Sequence, residues 1–375
     1  MSKLPNVGTT IFTVMSKMAN EHNAINLSQG FPNFPIAKRL EEIYAETVNK
    51  DVHQYAPMPG NSLLREELAK LTWKSYQRKI DVEREILLTA GGTQGIFTAI
   101  QALVEIGDEV IILNPAYDSY EPAVVLAGGK PININLDERF HPDFEKIKTA
   151  LSNKTRMIIV NNPHNPSGTI WPKEYYDTLA DLLENFPRVL VLSDEVYEYI
   201  TYDKSHFSIH NCDKLRNRAI VISSFGKTFH ITGWKVGYLI TTPELMTEIK
   251  KVHQFLVFCV NSVAQATLAK YLQEVDVAQL AGFYRQKRDL FRSLLANSRL
   301  ELFASEGSYY QTVSYKNIST EDDISFTKRL ITEIGVAAIP VSAFFADKTD
   351  RHVIRLCFAK KEETLREAAR RLCNL

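Results

Sequence analysis

From Ile86 onward the chain alternates short apolar runs with longer stretches in which apolar residues recur every three or four positions. The runs are Ile86 to Thr89, Val110 to Leu113, Ile132 to Ile134, Met157 to Val160, Val189 to Leu192, Ile220 to Ser223 and Val236 to Ile240. Apolar runs too short for a helix and without a polar face read as strands buried on both sides. Between them, Gln94 to Val104 and Glu174 to Glu184 carry the helical period. Strand and helix in alternation predict a mostly parallel, seven-stranded sheet covered on both faces, an α/β domain spanning residues 49–271.

The flanks read differently. Thr10 to Ala19 has the spacing of a short amphipathic helix, Ile36 to Val48 reads as a second, and Asn61-Ser62 starts a third. Ile25 to Pro35 (INLSQGFPNFP) is too rich in Gly, Pro and Asn for regular structure. Gly30 there permits close approach of a ligand to its amide, although the residues by themselves read more simply as a plain turn. After Thr242 helices are predicted over Val252 to Leu272 and Ala278 to Leu295. Strand-like pieces follow at Tyr309 to Tyr315, Ala337 to Pro340 and His352 to Phe358, then a helix from Glu362 to Leu372. This order predicts a smaller α+β domain over residues 272–375, joined by the N-terminal segment 1–48.

Composition narrows the function. Lys plus Arg and Asp plus Glu each number 44, giving a formal charge of zero, and no long basic run occurs. Nucleic acid and anionic membrane are therefore not the expected partners. No apolar stretch approaches the roughly 20 residues of a membrane helix. The opening MSKLPNVGTTIF lacks the apolar core of a secretory signal, so the expected location is the cytosol. Cys212, Cys259, Cys357 and Cys373 are scattered singly and no His pair has ligand spacing, so no metal is expected.

The residues with chemical potential cluster at one place in the rhythm. Gly91-Gly92-Thr93 follows the first run, Asn114 to Tyr117 the second, Asn161 to Gly168 the fourth, Asp194 to Tyr197 the fifth, and Ser224 with Lys227 the sixth. All stand at the carboxyl ends of strands, where open α/β sheets bind ligands, so the five loops are expected to share one crevice. Gly92, Thr93 and Gln94 open a helix, whose free amides and dipole suit a phosphate, although a simple strand-to-helix turn looks the same. Asp194 ends the strand VLVLSDEVYEYI, where its carboxylate needs a donor partner or caps a helix. Lys227 sits at the sheet's mouth, where lost hydration lowers an amine's pKa and frees it as a nucleophile toward an aldehyde. Arg355, in HVIRLCFAK, is a guanidinium inside an apolar strand and calls for a carboxylate, from a ligand or from a structural Asp or Glu.

The stretch SSFGKTFHITGWKVG resembles the lysine motif of the fold-type I, class I and II aminotransferases, Ser-x-x-Lys followed by Gly-x-Lys/Arg-x-Gly. Ser224, Lys227, Gly233, Lys235 and Gly237 fill it, and the likeness runs from SQGFPNFP to IRLCFAK. Lys235 stands where arginine is common, which keeps the charge and gives up the bidentate fork. The resemblance implies pyridoxal 5′-phosphate bound covalently at Lys227, with its phosphate on Gly92, Thr93, Gln94, Ser224 and Lys235. It implies Tyr117 stacked on the coenzyme ring, Asn165 and Tyr197 at the ring oxygen, and Asp194 at the ring nitrogen. Catalysis would rest on Lys227, Asp194 and Tyr197, and the substrate carboxylate on Arg355, Asn165 and the amide of Gly30. Tyr55 would reach the phosphate of a neighbouring subunit, so a homodimer with shared sites is implied. The segments SQGFPNFP, YAPMPG, VHQFLVF, EGSYYQ and SAFF are most similar to the methionine, kynurenine and glutamine aminotransferases. An apolar side-chain pocket is then expected from Phe12, Phe344 and Tyr309, residues that serve equally as core. The expected substrates are amino acids and 2-oxo acids, exchanged by a ping-pong route. A β-lyase acting on sulfur amino acids, or a regulator that keeps the fold without catalysis, are the alternatives.

Overall fold

The computed structural model describes residues 2–5 and 7–375. Seven strands form the main sheet: β1 Ile86–Thr89, β2 Glu109–Asn114, β3 Lys130–Asn135, β4 Thr155–Asn161, β5 Leu190–Asp194, β6 Ala219–Ser224 and β7 Gly237–Ile240. Their spatial order is β1-β7-β6-β5-β4-β2-β3. Six run the same way, and only β7 is antiparallel to its neighbours β1 and β6. The link from β6 to β7 holds a single helical turn, Phe225–Thr228, and a short 3-10 turn, too little for the crossover a parallel return requires. The carboxyl ends of the other six strands therefore share one rim, and the start of β7 joins them there.

Two apolar layers cover the sheet. One packs Tyr176, Leu179 and Ile147 on the face carrying Ile111, Ile158 and Val191. The other packs the helix α1, Gly91–Leu103, with Tyr120 and Val124, on Val110, Leu192 and Ile222. Burial on both faces is why these strands lack alternation.

The remaining residues build a second sheet from β8 Glu301–Leu302, β9 Tyr310–Ser314, β10 Ile339–Pro340 and β11 Val353–Cys357, antiparallel and ordered β10-β11-β9-β8. Its core holds Tyr284, Phe291, Phe326 and Leu365. Ile25–Asn26 pairs in parallel with Val336–Ala337, and the helix Ile11–Glu21 lays Met15 and Ala19 against Ile331, Ala337 and Ile339. The molecule is thus an α/β sheet with a smaller α+β part.

One predicted element divides. The expected helix from Val252 to Leu272 is two helices, α2 Pro243–Leu256 and α3 Ser262–Glu274. Phe258 between them adopts a left-handed φ of 65°. Asn261 caps α3, its side-chain oxygen accepting from the Ala264 amide at 2.8 Å. The apolar string through Phe255, Leu256 and Phe258 imitates a buried helical stripe, yet these side chains lie on the surface.

Candidate active site

The rim encloses a cavity of about 370 Å³ whose wall includes Gly91, Gly92, Thr93, Tyr117, Asn165, Asp194, Tyr197, Ser224, Lys227, Lys235 and Arg355. At one end lies the start of α1, with no side chain capping it and no acid in its first turn. A Cβ added at Gly91 would stand 3.4 Å from Lys235 Nζ, and one at Gly92 3.9 Å from Ser224 Cβ, so amides, hydroxyl and ammonium converge on one spot. Gly237 makes this possible: a Cβ there would meet Ser223 O at 2.7 Å and the Gly92 amide at 3.0 Å. Free amides, a helix dipole and a cation together favour an anion.

Asp194, the last residue of β5, is buried, and among the described residues no cation lies within ion-pair distance of it. Tyr120 donates to its Oδ2 at 2.6 Å, and the Val196 amide reaches its Oδ1 at 3.4 Å. Desolvation pushes its pKa up to about 6, with the Tyr120 hydrogen bond opposing. Such a carboxylate favours a protonated ring nitrogen beside it. Asn161 holds the neighbouring loop: its Nδ2 donates to the Asp194 carbonyl at 2.8 Å and its Oδ1 accepts from the Asn165 amide at 2.7 Å.

Lys227 ends in an amine with no hydrogen-bond partner among the described residues, facing the rings of Tyr309 and Tyr197 at 5.7 and 5.8 Å. Burial lowers its pKa to about 8, the Arg355 charge adding to the effect while Cys357 and Asp194 oppose it. A part of the amine is then uncharged near neutral pH, far more than at an ordinary lysine, as a nucleophile requires. Burial holds the Tyr197 phenol well above its ordinary value, so it stays a neutral donor.

Arg355, on β11, is 1% exposed. Its Nη1 donates to Asn165 Oδ1 at 2.8 Å and its Nη2 to the Ser28 carbonyl at 2.9 Å, while Nε is buried without a partner. The guanidinium lies 3.9 Å from the Tyr310 ring centre, with Phe344 and Phe12 at 5.2 and 5.3 Å. No structural Asp or Glu pairs with it among the described residues. A buried guanidinium held only by neutral acceptors is incomplete, and a carboxylate completes it.

The family model for aminotransferases of class I and II matches residues 22–372. The chain belongs to that family. This aminotransferase is 47% identical to the methionine aminotransferase of Escherichia coli, over all of its own length and 98% of that protein's. The crystal structure of an E. coli protein described as having methionine aminotransferase function superposes with a TM-score of 0.98, covering 100% and 99% of the two chains. The N-succinyldiaminopimelate aminotransferase of Mycobacterium tuberculosis superposes at 0.95, with 34% identity and the same coverage. Human kynurenine–oxoglutarate transaminase 1 is 32% identical over 93% of this chain and 92% of its own.

Most of the residues singled out in the aminotransferase's sequence line the cavity, Gly30 and Phe12 among them. Gln94 has its amide in the first turn of α1, but its side chain turns away, accepting from the Ala90 amide at 2.7 Å and facing His253 Nδ1 at 3.3 Å. Tyr55 is 82% exposed and lies against Phe258, outside this cavity. Tyr309 and Phe344 stand behind the wall. Tyr309 packs its ring on Tyr197 and donates to the Gly30 carbonyl. Phe344 packs edge-on against Phe12.

Sequence reasoning overlooked Tyr310, Tyr120 and Phe31, and gave Asn161 only as the start of a loop. Tyr310 lines the cavity in place of Tyr309, its hydroxyl 3.3 Å from that of Tyr197 and so close to Gly30 that a Cβ there would overlap it. The signal for it was the Tyr-Tyr pair in EGSYYQ, of which a strand aims only one member each way.

Proposed function

We propose that this aminotransferase works with pyridoxal 5′-phosphate held at Lys227. On this reading it moves the amino group of methionine, or of another apolar or aromatic amino acid, to a 2-oxo acid in ping-pong order. The residues fit the coenzyme by their chemistry: an unpartnered amine, an anion nest, a buried carboxylate and a flat wall at Tyr117. When bound, the coenzyme supplies a protonated ring able to accept the charge left on the substrate α-carbon. Asp194 keeps that ring nitrogen protonated. Ser224, Lys235 and the amides of Gly92, Thr93 and Gln94 fix the phosphate, Tyr117 stacks on the ring, and Asn165 and Tyr197 donate to its oxygen. Lys227, released by the incoming amine, takes the substrate α-proton on Nζ and returns it as general acid.

Arg355 carries the reading. Its fork, already oriented by Asn165 and Ser28, lacks only an anion, and the amide of Gly30 has no partner among the described residues. The α-carboxylate of an amino acid satisfies both. Phe12, 5.3 Å from the guanidinium, and Phe31, next to Gly30, give an apolar surface beside it for an unbranched side chain, and the relative named methionine aminotransferase supports that choice. The exposed Tyr55 and its neighbour Phe258 support a homodimer in which Tyr55 completes the partner's site. We place the domain limits at residues 1–48, 49–271 and 272–375, and the enzyme in the cytosol.

A screen of amino donors against one 2-oxo acid, followed by loss of that acid, tests the reading. Methionine and aromatic donors should turn over fastest. Rapid aspartate turnover with methionine inert would overturn the substrate, and pyruvate with a thiol formed without an acceptor would select the β-lyase.

A further inference from the structure

Residues 27–31 cross the top of the cavity, and each of their five carbonyls in turn is taken by a donor from residues 309–360. The Cys357 amide donates to Leu27 O at 2.9 Å and Arg355 Nη2 to Ser28 O at 2.9 Å. Tyr309 donates to Gly30 O. The remaining two carbonyls share one ammonium: Lys360 Nζ reaches Phe31 O at 2.8 Å and Gln29 O at 3.4 Å. Across the trans peptide between Gln29 and Gly30 the amide points opposite the Gln29 carbonyl, so holding that carbonyl fixes the direction of the Gly30 amide.

Lys360 is an unusual residue to find there. It is 3% exposed, and among the described residues no carboxylate lies within ion-pair distance of it. Its remaining neighbour is the ring of Phe31, 5.0 Å from Nζ, and that ring lines the cavity. A lysine is almost never buried unless its charge is compensated, so two carbonyls and one aromatic face must together replace its water. Those three groups all belong to the segment 29–31. A neutral side chain of equal length would fill the space without holding any of them.

We propose that Lys360 is a positioning residue for the amino donor. It grips the carbonyls on either side of Gly30 and the ring of Phe31, and so aims the Gly30 amide at the substrate carboxylate and the ring at the substrate side chain. It touches neither substrate nor coenzyme and acts only through this segment. The inference rests on the reading of Gly30 and Arg355 given above, because it presumes that the carboxylate binds between them.

The test compares the wild-type holoenzyme with Lys360→Met and Lys360→Arg. For each, KM and kcat with methionine are measured, together with the affinity for pyridoxal 5′-phosphate and the calorimetric Kd of hexanoate, an unreactive apolar carboxylate. Lys360→Met should raise KM and the hexanoate Kd by about tenfold, the loss of one charge-assisted hydrogen bond, while kcat and coenzyme affinity change less than about threefold. Lys360→Arg, which restores a cation, should recover most of the loss. Unchanged KM and Kd, or a loss falling equally on coenzyme binding, would overturn the proposal, as would failure of the arginine variant to recover. Should the methionine variant not fold, Lys360→Leu, which likewise removes the charge and every donor, carries the same comparison and the same outcomes. A wild-type enzyme that binds no coenzyme, or ignores hexanoate, would instead defeat the underlying reading before any variant is made.

Discussion

Asp194 is buried to 4% exposure, and ionising it there burdens the coenzyme-free protein. Its pKa is raised from 3.8 to about 6, so between those values the folded chain binds the extra proton. Stability of the free protein therefore falls as pH rises through that window, and the penalty is fully present above it. Asp194→Asn keeps an oxygen for the Tyr120 hydroxyl and removes the charge. It should raise the unfolding free energy of the coenzyme-free protein by ~1–3 kcal/mol at neutral pH and leave it unchanged below the ordinary aspartate range. Turnover should nevertheless collapse, the pattern of a site whose function costs stability. Urea unfolding at the two pH values checks this, and an equal difference at both would contradict it. Single residues of this kind were legible in the sequence because they interrupt or closely follow apolar runs: Asp194 and Arg355 stand out from their strands, and Lys227 follows one. Tyr120 and Lys360 were not, since one lies at the start of the short helix Tyr120–Leu126 and the other just past the end of β11, where no period constrains the side chain.

At the scale of elements, the site depends on how closely β7 approaches the start of α1. A Cβ on Gly237 would meet backbone atoms on two sides, Ser223 O at 2.7 Å and Gly91 C at 2.9 Å, none of which can swing aside. Gly237→Ala should therefore destabilise the protein by ~1–3 kcal/mol through overpacking, and should weaken coenzyme binding as well by displacing the amides of Gly91 and Gly92. Thermal unfolding with and without pyridoxal 5′-phosphate separates the two effects; a variant with unaltered Tm and coenzyme affinity would show that this contact is slack. Strands and helices of the main sheet were readable from their apolar pattern, because burial on both faces erases alternation. Two features were hidden for physical reasons. Adjacent tyrosines on a strand face opposite ways, so choosing between Tyr309 and Tyr310 needs a register that the pattern alone does not supply. The surface string around Phe258 has the composition of a buried stripe, and only the cap at Asn261 marks the break.

For the whole molecule, the consequential fact is that six strands end at one rim and a second sheet closes over it. Asp194 ends one strand of the main sheet and Lys227 lies in the turn that follows its neighbour β6, whereas Arg355 comes from the other sheet and arrives through its bond to Asn165. Residues 27–31 run between the two parts, bound through every carbonyl to residues 309–360. The anion nest, the amine and the carboxylate thus belong to the main sheet, and the grip on an amino acid belongs to the cover. That division was foreseeable in outline from the change in pattern after Thr242, but the course of residues 27–31 across the cavity was not, since carbonyl directions leave no trace in side-chain order. The most direct test of the account is to reduce the protein with borohydride in the presence of pyridoxal 5′-phosphate and to map the modified peptide by mass spectrometry. The account predicts a single phosphopyridoxyl group on Lys227, absent when methionine is added first and absent in Lys227→Ala; a group on any other lysine, or none on the wild-type chain, would contradict it.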